Sequence, residues 1–184
     1  MTSTYLNIHM DINEKLEYFI KAQKIPNIIF HGPSGSGKRT IVNDFVKKIY
    51  NNSNDLKKKH VMYVDCGHGR GIKFIREELK FFAKTNIHTS GDIVKSVILL
   101  NADKLTIDAQ SALRRCIELF SKTTRFFIII EDKFKLLRPI LSRFCEIFIN
   151  RPVINNEFID LHKYNNNNYF NTDSSDTNRM NYLY

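Results

Sequence analysis

Short apolar runs alternate along this chain with longer stretches whose apolar residues recur at helical spacing. Ile12, Leu16, Phe19 and Ile20 predict a helix over Ile12–Ala22, closed off by Pro26. Asn27–Phe30 is a brief apolar run between that proline and a glycine-rich stretch, the pattern of a buried strand. Ile41, Phe45, Val46 and Ile49 then share one face of a helix over Thr40–Tyr50. Val61–Val64, Val94–Leu100, Phe126–Ile130 and Glu146–Ile149 read as further strands. Ile72–Lys84, Asp108–Phe120 and a short Leu136–Arg143 read as helices. Strands alternating with helices predict an α/β fold: a parallel five-stranded sheet with helices on both faces.

The pattern stops after Pro152. Nine of the last 34 residues are Asn, including Asn165–Asn168. Such a stretch buries too little apolar surface to offset the entropy of ordering it. Residues 1–150 are therefore expected to form one domain and 151–184 a largely disordered tail. Charge follows the same division. The chain carries 28 basic and 19 acidic residues, but 151–184 holds three basic and four acidic, so the surplus lies on the body. A basic body suits an anionic partner, and equally a merely solvated surface.

Other classes are excluded. No apolar run approaches the ~20 residues that span a bilayer. The N-terminus lacks the basic start and apolar stretch of a secretory signal. Cys66, Cys116 and Cys145 have neither disulfide-framework nor zinc spacing and are expected to be reduced thiols of an intracellular protein.

The sharpest local chemistry is Gly32-Pro33-Ser34-Gly35-Ser36-Gly37-Lys38-Arg39-Thr40, between a predicted strand and a predicted helix. This is the setting of a Walker A loop. Glycines let backbone N–H groups turn inward around phosphate oxygens, the helix N-terminus adds its dipole, and Lys38 reaches the terminal phosphates. The position after the lysine normally carries the Ser or Thr hydroxyl that binds Mg²⁺. Here it is Arg39, and Thr40, rotated about 100° along a helix, does not replace it.

The order of the strand leading into GPSGSGKRT, then RGIKFIREELKFFAK (70–84), ADKLTIDAQSALRRCIE (102–118) and TRFFIIIEDKFKLLRPILSRFCEIF (124–148) resembles the small subunits of sliding-clamp loaders. These are AAA+ ATPases of the replication factor C type, and the likeness spans about residues 12–150. It implies an ATP-binding subunit of a ring that loads a polymerase clamp onto primed double-stranded DNA. Its implied partners are other clamp-loader subunits, the clamp and DNA, with no membrane, in the nucleus or at a site of viral replication. Arg143 falls on the family's arginine finger, which acts on a neighbour's nucleotide.

Several implied positions are altered. The family's Asp-Glu pair after the third strand falls on Leu100 and Asn101, leaving Asn101 as a degenerate Walker B residue. Asp103 matches a later acidic residue and is the remaining candidate for Mg²⁺. The polar sensor after the fourth strand falls on Glu131. Hydrolysis by the chain's own site is therefore expected to be impaired. The family's helical lid and collar would follow residue 150, where the Asn-rich segment stands instead.

Lys73, Arg76, Lys80 and Lys84 are spaced by three, four and four, one stripe of a helix, with Arg70 just before it. The resemblance implies that this helix meets the DNA backbone, so Arg70, Lys73, Arg76 and Lys80 are candidate phosphate contacts without sequence preference. A solvated face paired with Glu77 and Glu78 fits the same spacing. His68 with Cys66 makes too few ligands for a metal. Two other readings stand beside the clamp-loader one. One is a structural AAA+ subunit that presents Arg143 without hydrolysing ATP. The other is a small nucleotide kinase, which the DAQSALRR and SRF strings do not fit.

Overall fold

A computed structural model of the chain describes residues 8–67, 72–85, 94–154 and 157–163. Strands β1 (Ile28–His31), β2 (Val61–Asp65), β3 (Lys95–Leu100), β4 (Thr124–Ile130) and β5 (Cys145–Phe148) form one sheet in the order β2-β3-β4-β1-β5. Every neighbouring pair is parallel. The interior strands β1 and β4 carry continuous apolar runs because both faces of the sheet are covered there.

Side chains alternate between two cores, as the period of a strand requires. Ile29, Val97, Leu99, Phe126 and Ile128 point to one core. There they meet Leu113 and Ile117 of α6 (Ile107–Phe120). Ile28, Phe30, Ile98 and Phe127 point to the other. They meet Leu16 of α1 (Met10–Lys21) and Val42, Phe45 and Val46 of α2 (Lys38–Ile49). Phe127 stands edge-on to both Phe30 and Phe45, with ring centroids 6.5 and 5.5 Å away, an arrangement favoured by the ring quadrupoles.

Helix α6 opens on Thr106, whose hydroxyl accepts from the Ala109 N–H at 3.3 Å. Its buried Gln110 works as a bolt. The amide nitrogen donates to the carbonyls of Leu105 (3.1 Å) and Lys135 (3.2 Å), and the amide oxygen accepts from the Leu137 N–H (2.9 Å). These bonds tie α6 to the segment that follows β4.

The helix expected over 72–84 is interrupted. It runs as α4 (Ile72–Phe74), a π turn (Ile75–Leu79) and α5 (Lys80–Lys84). Ile75, Leu79 and Ala83, four residues apart, are all buried. That spacing drifts off one face of a regular 3.6-residue helix, and the wider turn brings it back. The 3.6-residue stripe of cations is broken at the same place. The predicted Leu136–Arg143 helix shrinks to α7 (Arg138–Leu141), where Pro139 is tolerated in the first turn.

Helix α3 (Asn54–His60) is absent from the sequence pattern. Its run NDLKKKH offers one aliphatic residue, and Ser53 caps it by accepting from the Leu56 N–H at 3.4 Å. Past Pro152, β6 (Val153–Ile154) pairs antiparallel with β7 (Glu157–Phe158). The segment expected to be disordered thus begins with a hairpin and a turn reaching residue 163, and 155, 156 and 164–184 lie outside the described residues. Cys66, Cys116 and Cys145 are separate thiols.

Candidate nucleotide site

The phosphate-loop sequence sits between the C-terminal end of β1 and the N-terminus of α2. Gly35 (φ +73) and Gly37 (φ +89) are left-handed, a conformation that costs L residues and leaves glycine free. With these turns the loop curls around Lys38. The Lys38 ammonium donates to the carbonyls of Gly32 (2.8 Å) and Pro33 (2.6 Å) and lies 3.4 Å from Ser36 Oγ. Burial pushes its pKa below the ordinary lysine value; Glu131 opposes the shift and Arg151 adds to it. The N–H groups of Lys38, Arg39 and Thr40 belong to the first turn, where a helix has no internal acceptor for them. An anion placed there meets oriented donors and a cation already at the loop.

Arg39 and Thr40 are both exposed. Glu131 is exposed at the end of β4, where its carbonyl accepts from the Gly32 N–H at 3.3 Å. Its negative charge opposes the downward shift of the Lys38 pKa, at the position where the family's pattern has a neutral polar sensor.

Leu100 ends β3, partly buried against the α1–α2 core. Asn101 follows in the left-handed region (φ 54), which asparagine tolerates. Its amide donates to Asp65 Oδ1 at 2.9 Å, and the same oxygen accepts from the Gly67 N–H at 2.8 Å. Asp65 was missed in the sequence because it lies 36 residues away; only the parallel pairing of Asp65 with Leu100 brings them together. The Asp103 carboxylate lies 3.6 Å from the Lys135 ammonium. No carboxylate therefore ends β3, Asp103 is engaged by a lysine, and the described residues contain no cluster of three metal-ligating side chains. Leu100 offers no ligand for Mg²⁺, and Asp65, beside Asn101, is a carboxylate at this end of the sheet.

Arg143 lies beyond α7. It donates to the Pro139 carbonyl (2.5 Å) and pairs with Glu118 of α6 (2.5 Å), whose carboxylate is also 3.4 Å from Arg114. The candidate finger is held within its own chain. Lys73 and Lys80 are exposed. The side chain of Arg76 and all of Arg70 fall outside the described residues. Lys80 also borders a groove of about 540 Å³ with Asp108, Ser111, Arg115 and Leu119, on the face of the sheet opposite α2.

Three further residues close around the phosphate loop. His9 Nε2 donates to the Ser36 carbonyl at 2.9 Å. Arg151 Nε donates to the Ser34 carbonyl at 2.9 Å and Nη2 lies 3.5 Å from Asp160. The Leu161 N–H donates to the Gly35 carbonyl at 2.9 Å. All three come from outside the periodic segments, which is why pattern reading passed over them.

A parallel sheet in the order β2-β3-β4-β1-β5, with a phosphate loop between the interior strand β1 and a helix, defines a P-loop NTPase fold of the AAA+ class. No protein-family model matches the chain. The chain is similar to the replication factor C small subunit of Aeropyrum pernix, 34% identical over 152 residues. That alignment takes in 82% of this chain and 45% of the relative. It is likewise similar to the same subunit of Sulfolobus acidocaldarius, 38% identical over 134 residues, 72% of this chain and 40% of that one. In fold it is similar to a DNA polymerase III gamma subunit-related protein of Thermotoga maritima (TM-score 0.63, 20% identity, 76% of this chain and 46% of that one). It also matches the Bacillus subtilis DNA clamp loader delta protein (TM-score 0.55, 13% identity, 77% and 44%). The chain belongs to the replication factor C small-subunit family. It spans less than half the length of the relatives it matches.

Proposed function

We propose that this chain is a nucleotide-binding subunit of a clamp-loader-like assembly whose own site turns ATP over slowly or not at all. The observation that carries the reading is the contrast between the two halves of the site. The phosphate-loop half has its glycine turns and its lysine in place. The half that would support metal and activate water has Leu100, Asn101 bonded to Asp65, and Glu131.

ATP fits the first half: Gly32, Pro33, Ser34, Gly35, Ser36, Gly37 and Lys38 would hold its phosphates, together with the opening turn at Arg39 and Thr40. Phosphoryl transfer depends on positioning and on charge stabilisation. Here Lys38 supplies charge to a bound phosphate, while the position of the family's water-activating acid is Asn101, whose amide is bonded to Asp65. Slow turnover follows. The kinase reading has no support from the family.

The partners in this reading are other clamp-loader subunits, the clamp and primed DNA, as the family relationship supports. Two measurements test it together. Lys38→Ala should abolish binding of a fluorescent ATP analogue, and the unaltered chain should bind the analogue with little phosphate release. Equal binding by the variant would overturn the phosphate-loop assignment, and brisk turnover by the chain alone would overturn the impaired site.

Arg143 serves a neighbour in this proposal. The Glu118 pairing holds it near α6 until a neighbour's phosphates compete for the guanidinium. In an assembly with clamp-loader subunits, Arg143→Ala should lower turnover; equal turnover with and without the substitution would refute the role.

A further inference from the structure

The segment after β5 returns to the phosphate loop and sits on it. Ile159 N–H bonds to the Pro152 carbonyl at 2.9 Å, closing the hairpin so that Asp160 and Leu161 reach Gly35 and Gly37. A Cβ on Gly35 would collide with the Asp160 carboxylate, and one on Gly37 would lie 3.1 Å from Leu161 Cδ1. The missing side chain of Gly35 leaves the space that the Asp160 carboxylate occupies. Arg151 joins the two layers, with Nε on the Ser34 carbonyl at 2.9 Å and Nη2 3.5 Å from the Asp160 carboxylate.

We propose that Arg151 and Asp160 form a latch on the phosphate loop that bound nucleotide opens: phosphate replaces the Asp160 carboxylate as the partner of Arg151, which then becomes a phosphate-binding residue. The inference rests on the nucleotide-site reading above and deepens it.

The chemistry is an exchange of anions on one guanidinium. Arg151 is anchored by its Nε bond to a loop carbonyl, so its remaining donors stay at the loop whichever anion they serve. A carboxylate and a phosphate are alternative partners for a planar guanidinium fork. Asp160 lies against the loop and repels a polyphosphate that approaches it. Its departure removes that repulsion and frees Arg151 at the same time. The exchange also bears on the missing metal support. Arg151 adds a fixed positive charge to the loop of a chain that has lost its metal-supporting side chains.

Asp160 has a second bond, accepting from the His162 N–H at 3.0 Å as an N-cap does. A cap alone predicts no effect of Asp160 on nucleotide affinity. The latch predicts opposite effects for the two charged residues. In the full chain, with a fluorescent ATP analogue as probe, Asp160→Asn retains a cap and removes the charge. It should tighten binding about fivefold, the equivalent of the ~1 kcal/mol upper value of an exposed ion pair. Arg151→Gln should weaken binding by about the same factor. Thermal unfolding without nucleotide checks that both variants fold.

Unchanged affinity in Asp160→Asn overturns the latch. Tighter binding in Arg151→Gln overturns the phosphate role of Arg151 and leaves it as an anchor. Lys38→Ala separates the levels. If it binds the analogue normally, the nucleotide site itself is misassigned. If it abolishes binding while the latch variants match the unaltered chain, only the latch fails.

Discussion

Asn101→Asp replaces the amide at the end of β3 with an acid. In the native chain the Asn101 amide donates to Asp65 Oδ1 at 2.9 Å. The substitution removes that donor and sets two carboxylates at nearly the same separation. Two unit charges 3 Å apart repel by about 1.4 kcal/mol in bulk water and about 5.5 kcal/mol at an effective dielectric of 20. Asn101 is exposed, so the value belongs near the water end. With the lost hydrogen bond included, the expected cost is about 2 kcal/mol at pH 7. For a chain of this size that lowers the melting temperature by about 4–8 °C.

The pH dependence has a definite sign. Repulsion raises the folded pKa of the carboxyl pair above the unfolded value near ~3.9. Protonation of one acid relieves the pair, so the cost is small below pH ~4 and grows as pH rises through the raised value. It is constant above that window. Urea unfolding of both chains at pH 7 and at pH 4 measures it, since the difference between chains cancels acid effects they share. A cost under about 0.5 kcal/mol at pH 7, the range of an ordinary surface change, would refute the Asn101–Asp65 bond. So would a cost that is the same at both pH values.

Gln110→Leu should lower stability by about 3 kcal/mol, because it leaves the Leu137 N–H and the Leu105 and Lys135 carbonyls without their amide partner. A shifted urea midpoint with unchanged slope checks this, and a loss near zero would show that water replaces the amide. If Lys73 and Lys80 meet DNA phosphates, reversing both charges to Glu should weaken binding to every duplex alike and flatten the salt slope by about two contacts' worth. An unchanged slope would make them a solvated helix face.

The strands and the main helices were legible because the interior strands are covered on both faces and carry apolar runs such as Phe126–Ile130, while the edge strands β2 and β5 keep shorter ones. Helix α3 was not, because NDLKKKH has no apolar face and relies on the Ser53 cap. The π turn was not, because the pattern at 72–84 satisfies a 3.6-residue period closely enough to hide one of four.

The phosphate loop was written in the residues alone, since left-handed turns favour glycine and Lys38 stands at the start of the helix that follows. The residues also show which side chains are missing after β3 and β4, since identity alone tells that Leu100 is no carboxylate. Tertiary structure decided what those positions do instead. Asn101 meets Asp65 only because β2 and β3 are parallel neighbours in register. Arg143 meets Glu118 only because α7 packs beside α6. Arg151 and Asp160 reach Ser34 and Gly35 only because β5 lies next to β1 and delivers the following hairpin onto the loop. Local periodicity reports which residues avoid water. It carries no information on which polar residues meet across more than a hundred positions, and the order of strands in the sheet sets that.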